Sequence, residues 1–165
     1  MRDSSRVEIF SHGPEDTQAI GRLLGTHAIA GDVFLLVGGL GAGKTCLTQG
    51  ILWGLGVNEY ARSPTFVLVS QYRGRLMLYH IDLYRVDAIG EIADLGLDEY
   101  LFGEGVCVVE WAEKAPSVFP EHNLTVQIEY PEETWEETTR RLTLTAAGSG
   151  YVEMMRAVRS AMVKI

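Results

Sequence analysis

Gly38-Gly39-Leu40-Gly41-Ala42-Gly43-Lys44-Thr45 fits the phosphate-binding loop pattern G-x-x-x-x-G-K-[ST] without a mismatch. It follows the apolar run Val33-Phe34-Leu35-Leu36-Val37 and opens into Leu47, Ile51, Leu52 and Leu55, which share one side of a helix. Strand, loop and helix in this order are the context the motif requires. A shuffled chain of this composition would hold about 0.004 such matches, so chance does not account for it. Four glycines leave backbone N–H groups free to turn inward around phosphates, and the new helix adds the positive end of its dipole. Lys44 can reach the β- and γ-phosphates, and the Thr45 hydroxyl can ligate Mg²⁺. The octapeptide implies a nucleoside triphosphate site.

The rest of the composition bounds the setting. With 165 residues, 47% hydrophobic and 22% charged, the chain reads as one globular domain over 1–165. It has no apolar run of membrane-spanning length and no signal-like opening, so a cytoplasmic protein without membrane contact is expected. Cys46 and Cys107 stand far apart without metal-type neighbours, which suits a reduced compartment. A net charge of −8 argues against autonomous nucleic-acid binding, which rests on Lys and Arg neutralising phosphates. Arg140-Arg141 is the longest basic cluster. Any RNA in this protein's work is expected to be held by another protein.

Residues 6–10 read as a strand and 14–29 as a helix, with Pro14 at its start and Glu15 and Asp16 in its first turn. Strand 33–37, the loop and helix 44–55 follow. Runs 66–72 and 76–81, separated by Arg73-Gly74-Arg75, predict a hairpin. A helix is expected over 91–102. Val106-Cys107-Val108-Val109 has the unbroken apolarity of a strand buried on both faces. Segments 124–130 and 141–145 alternate as edge-type strands around an acidic loop. Val152, Met155, Val158 and Met162 mark a terminal amphipathic helix within 150–165. The sum is a three-layer α/β P-loop domain with a mixed, mostly parallel central sheet and an antiparallel edge hairpin.

A phosphate loop needs a carboxylate for Mg²⁺ at the end of a buried strand. Glu110 closes run 106–109 and Asp82 closes run 76–81, so both are candidates. Between them, Thr65 in Ser63-Pro64-Thr65-Phe66 follows Thr45 at a spacing where nucleotide switches place a hydroxyl against the γ-phosphate or its metal. Trp111 reads as a core aromatic on spacing alone, and His80 as a half-buried structural residue of its strand. Residues 11–17 could reach an adenine, or simply supply a helix cap through Ser11 or Asp16.

A guanine-reading N-K-x-D is absent from the sequence, and no arginine-rich lid of a small-molecule kinase is visible. The ordered set Gly38 to Thr45, Ser63-Pro64-Thr65-Phe66, Tyr79-His80-Ile81-Asp82-Leu83-Tyr84-Arg85, Glu91 with Leu95-Gly96-Leu97, and Val109-Glu110-Trp111 resembles the bacterial TsaE (YjeE) ATPase family across nearly the whole chain. The resemblance implies a part in making threonylcarbamoyladenosine on tRNAs that read codons starting with A. It implies ATP and Mg²⁺ as cofactors, TsaD and TsaB as protein partners, and tRNA reached only through their complex. By position, Gly38, Gly39, Leu40, Gly41, Ala42, Gly43, Lys44, Thr45 and Cys46 would cradle the phosphates. Thr45 and Glu110 would hold Mg²⁺, Asp82 would be the essential acid near the γ-phosphate, Thr65 the switch hydroxyl and Trp111 a functional residue. Two positions depart: Gly39 stands where the family usually has Asp, and Cys46 where it has a second Thr.

The mechanism expected from these readings is hydrolysis of MgATP, with Asp82 or Glu110 placing the attacking water and the 63–66 segment relaxing afterwards. Alone, such a site is expected to be slow, because its catalysis is positioning and charge stabilisation. A small-molecule kinase and a non-catalytic ATP sensor are the alternatives.

Overall fold

The two most apolar runs of the chain lie side by side. Strand β2 (Val33–Val37) pairs in parallel with β5 (Val106–Glu110), from Val33 opposite Cys107 to Leu36 opposite Glu110. Their near-continuous apolarity follows from cover on both faces, since side chains alternate between two separate cores. Phe34, Leu36 and Val108 enter one core, with Leu24, Leu47, Ile51 and Val158. Leu35, Cys107 and Val109 enter the other, with Ile81, Leu97, Leu101 and Ala115. The computed structural model describes residues 6–62, 69–87, 92, 94–132 and 136–162.

Outward from this pair, β4 (Met77–Asp82) runs parallel to β5 and places Asp82 opposite Glu110. β3 (Val69–Arg73) is antiparallel to β4. On the other side, β6 (Asn123–Glu129) is parallel to β2, β7 (Arg140–Ala147) antiparallel to β6, and β1 (Arg6–Ser11) antiparallel to β7. Among the described residues this makes a seven-stranded sheet in the order β1-β7-β6-β2-β5-β4-β3. The mixed, mostly parallel centre with antiparallel edges agrees with the sequence reading. The placing of segments 124–130 and 141–145 at an edge does not: β6 and β7 are interior, and β1 and β3 hold the edges. Alternation reports how well the two faces of a strand are covered, not whether its ladder is complete.

One face carries α1 (Pro14–His27), α2 (Lys44–Gly54) and α4 (Val152–Met162). The other carries the chain around α3 (Asp98–Leu101) and the 3₁₀ turn Ala112–Lys114. The helix expected over 91–102 is therefore shorter among the described residues. Gly96 takes φ +65°, a left-handed backbone through which a right-handed helix does not run. The start of α1 also differs in detail. Asp16 accepts from the His12 amide at 2.9 Å, whereas Ser11 pairs with Thr17 at 2.6 Å and donates to the Gly13 carbonyl.

What fixes α2 against the sheet is its crossing with α1. Gly21 and Gly25 on α1 face Gly50 and Gly54 on α2, and a Cβ at any of the four would strike backbone of the other helix. Backbones approach this closely only where side chains are missing on both sides. At the end of α1, Arg75 from the β3–β4 turn donates to the carbonyls of Gly25 and Ala28, each at 2.9 Å. The Gly25 carbonyl also accepts from the Ala28 amide at 3.3 Å, so Arg75 adds a second donor at the helix end.

Candidate functional site

Parallel strands β2, β4 and β5 all end at one edge of the sheet, where open α/β sheets bind their ligands. The loop 38–43 leaves β2 there and turns into α2. Gly41 at φ +77° and Gly43 at φ +117° take left-handed backbone, which L side chains rarely adopt. The loop carbonyls are tied to side chains. Lys44 Nζ donates to the oxygens of Gly38 at 2.6 Å and Gly39 at 2.9 Å. Tyr130 Oη donates to Gly41 O at 3.2 Å, and Arg140 Nε to Ala42 O at 3.1 Å. The Ala42 amide closes the turn onto the Gly39 carbonyl at 3.1 Å, and loops of this kind aim their other amides into an anion-binding concavity. Arg140 also stacks over the Tyr130 ring, 3.8 Å from its centroid, and its hydrogen bonds among the described residues go to neutral oxygens. No ion pair to Arg140 occurs among the described residues. Sequence reading passed over both residues, treating Arg140 only as half of a short basic pair.

Glu110, Asp82 and His80 share the face of the sheet that bears α2, because two-residue periodicity sets them in line with Val108 and Leu78. Thr45 Oγ1, at the first turn of α2, donates to Glu110 Oε1 at 3.2 Å. The other carboxylate oxygen, Oε2, meets His80 Nε2. His80 is wholly buried, not half-buried as its strand pattern suggested. Beside them, Asp82 Oδ1 accepts from the Tyr84 amide at 2.9 Å. Burial raises the Asp82 pKa above the usual carboxylate value, partly offset by that amide. Burial likewise lowers the Lys44 pKa, against the opposing pull of Glu110, Glu113 and Asp82.

Trp111 follows Glu110 in left-handed backbone, at φ 60° and ψ 37°, and Lys44 Nζ lies 4.0 Å from its ring centroid. Tyr84 stacks on the outer side of Trp111 at 5.0 Å, and Lys114 donates to the Tyr84 carbonyl. The structure thus brings together Lys44, Thr45, Asp82, Glu110 and Trp111. Thr65, with Ser63, Pro64 and Phe66, lies outside the described residues. The chain leading to that segment is held by Gln49 of α2, which donates to Glu59 O at 3.1 Å and accepts from the Ala61 amide at 2.6 Å.

The two departures sit differently. A Cβ on Gly39 would meet nothing within 4 Å. Cys46 Sγ contacts the Pro14 carbonyl at 3.4 Å, and burial raises its thiol pKa. As for a metal, a hydroxyl and two carboxylates are hard oxygen donors that suit Mg²⁺, which takes one or two carboxylates and completes its shell with phosphates and water. No group of three His, Cys, Asp or Glu that could hold a metal ion occurs among the described residues. No helix among the described residues is long and apolar enough to cross a membrane.

Comparison with known proteins agrees with these features. A family model described as "Threonylcarbamoyl adenosine biosynthesis protein TsaE" matches residues 11–142. A TsaE protein of Bacillus subtilis is 44% identical over 139 residues, covering 84% of each chain. One from Treponema pallidum is 42% identical over 122 residues, 74% of this chain and 90% of the other. In fold, the chain is similar to the crystal structure of B. subtilis YdiB, with a TM-score of 0.80, 36% identity, and 94% and 95% of the two chains covered.

Proposed function

This chain belongs to the TsaE family, and on that premise we propose that it is a Mg²⁺-dependent ATPase of tRNA threonylcarbamoyladenosine biosynthesis. It works in the cytoplasm, joins the TsaD–TsaB pair and drives that pair's turnover, meeting tRNA only through the complex. The acidic balance of the chain favours this indirect contact. The observation that carries the reading is the Thr45–Glu110 contact of 3.2 Å at the start of α2, beside Lys44 and under a loop whose carbonyls are tied off.

In this mechanism Lys44 leaves the Gly38 and Gly39 carbonyls for the β- and γ-phosphates. Thr45 and Glu110 hold the metal. When bound, Mg²⁺ would supply positive charge against the charge that develops on the phosphate. Asp82 keeps Oδ2 free of partners among the described residues, so it can orient the water that attacks the γ-phosphorus in line. Trp111 stays beside Lys44, and Thr65, outside the described residues, would supply the switch hydroxyl.

The test is phosphate release from ATP, and separately from GTP, with and without the TsaD–TsaB pair. Slow release from ATP that rises strongly with the pair is expected, lost in Glu110→Ala and Asp82→Ala while nucleotide binding largely survives. Full parental turnover in both variants would refute the assignment of these acids. Tight ATP binding without turnover even in the assembly would replace the ATPase by a sensor, and a phosphorylated metabolite would replace it by a kinase.

A further inference from the structure

We propose that His80 is a positioning residue that holds the Glu110 carboxylate in the orientation needed for the divalent cation. This rests on the Mg²⁺-dependent reading above and adds a residue to it. His80 lies in a strand interior with Leu78, Val106 and Val108 on the same face and Ser70 opposite it on β3. An apolar side chain would pack there without leaving a polar atom stranded. The histidine instead has Nδ1 buried without a hydrogen-bond partner among the described residues, while Nε2 meets Glu110 Oε2. A neutral imidazole has one N–H, and facing a carboxylate that hydrogen belongs on Nε2, leaving Nδ1 as a bare lone pair. Burying that lone pair has a cost that packing alone does not offset. The gain falls on Glu110.

Glutamate has three rotatable bonds, and Lys44 lies close enough to feel its charge. Left to itself, the carboxylate could swing onto the Lys44 ammonium and neutralise the two groups the site must keep apart. The structure has Thr45 on Oε1 and His80 on Oε2, and no Lys44–Glu110 ion pair among the described residues. His80 therefore reserves Glu110 for the cation and Lys44 for phosphate. Residues that orient metal ligands through hydrogen bonds act in this way in many metal sites.

The experiment is calorimetric nucleotide binding by the purified chain, with and without Mg²⁺, for the parent, His80→Leu, His80→Gln and His80→Asn. Glutamine can place its amide N–H near the position of Nε2, whereas asparagine reaches only about as far as Nδ1. Mg²⁺ is expected to tighten binding in the parent, and each protein is judged by the ratio of its affinities with and without the cation. The tightening should fall about tenfold or more in the Leu and Asn variants and return with Gln. A purely structural histidine would lower melting temperature without separating Gln from Asn in this readout. An equal cation effect in Gln and Asn overturns the proposal, even if the Leu variant does not fold. If Mg²⁺ leaves parental binding unchanged, the metal-dependent reading fails, and the role of His80 with it.

Discussion

The Lys44 ammonium rests 4.0 Å from the centre of the Trp111 ring while donating to two carbonyls of its own loop. Nucleotide phosphates would have to draw it away from all three contacts. Removal of a cation from an indole face changes the surroundings of the fluorophore. In a chain carrying Trp53→Phe and Trp135→Phe, emission from Trp111 should therefore change on adding ATP. It should change far less in Lys44→Ala. Emission indifferent to saturating nucleotide would mean that Lys44 stays on the ring.

The backbone of Trp111 offers a separate measurement. A left-handed conformation at a residue with a Cβ costs about 1 kcal/mol relative to glycine. Trp111→Gly should accordingly be more stable than Trp111→Ala by about 1 kcal/mol in urea unfolding. The opposite order would show that this position relaxes to ordinary backbone.

Arg140 and Tyr130 tie the Ala42 and Gly41 carbonyls from outside the loop, and Arg140 adds a positive charge there. Arg140→Ala should weaken nucleotide binding about tenfold with little loss of melting temperature. Arg140→Lys should restore only part of it, because a single ammonium cannot both stack on Tyr130 and reach Ala42 as the planar fork does. Tyr130→Phe should have a smaller effect. Unchanged affinity in Arg140→Ala would mean that the loop keeps its shape unaided.

Gly25 and Gly50 sit where α1 and α2 touch backbone to backbone. Alanine is the better helix former at either position, yet Gly50→Ala and Gly25→Ala should each destabilise by about 2 kcal/mol or more, because the helices must separate to admit a methyl group. Gly39→Ala and Gly39→Asp meet open space and should stay within about 0.5 kcal/mol of the parent. Denaturant melts of the four variants check this, and stabilisation by Gly50→Ala would refute the close crossing.

Asp32 is buried at the start of β2, and burial pushes its pKa from 3.8 up to about 6, partly offset by the Ile29 amide. The folded state therefore holds the proton more tightly than the unfolded chain. The contribution is fully present below about pH 3.8 and is lost as pH rises through about 6. Asp32→Asn keeps an acceptor for the amide without the charge. It should gain on the parent between pH 4 and 7, by an amount on the order of 2–3 kcal/mol. Parallel stability curves for the two proteins would contradict this.

Much of the architecture was legible because local rules sufficed. The phosphate loop needs consecutive residues only, and the fully apolar β2 and β5 state their own burial. That β4 ends at Asp82 and β5 at Glu110 could be read from where apolarity stops. The contacts of His80, Arg140 and the four helix glycines were not legible for a common reason: each is made with a partner distant in sequence. One signal was present in hindsight, since Gly21 and Gly25, like Gly50 and Gly54, repeat at the four-residue spacing of one helix face.

The sequence by itself determined the nucleotide loop, the order of strands and helices along the chain, and the family, because these rest on residue type and spacing. Only the tertiary structure decided that β1 and β3, not β6 and β7, form the edges, that Asp82 stands beside Glu110, and that His80 takes one carboxylate oxygen while Thr45 takes the other. Those facts depend on which strands become neighbours and in what register. Pairing is settled by the collective burial of two cores, a property no single stretch of chain carries.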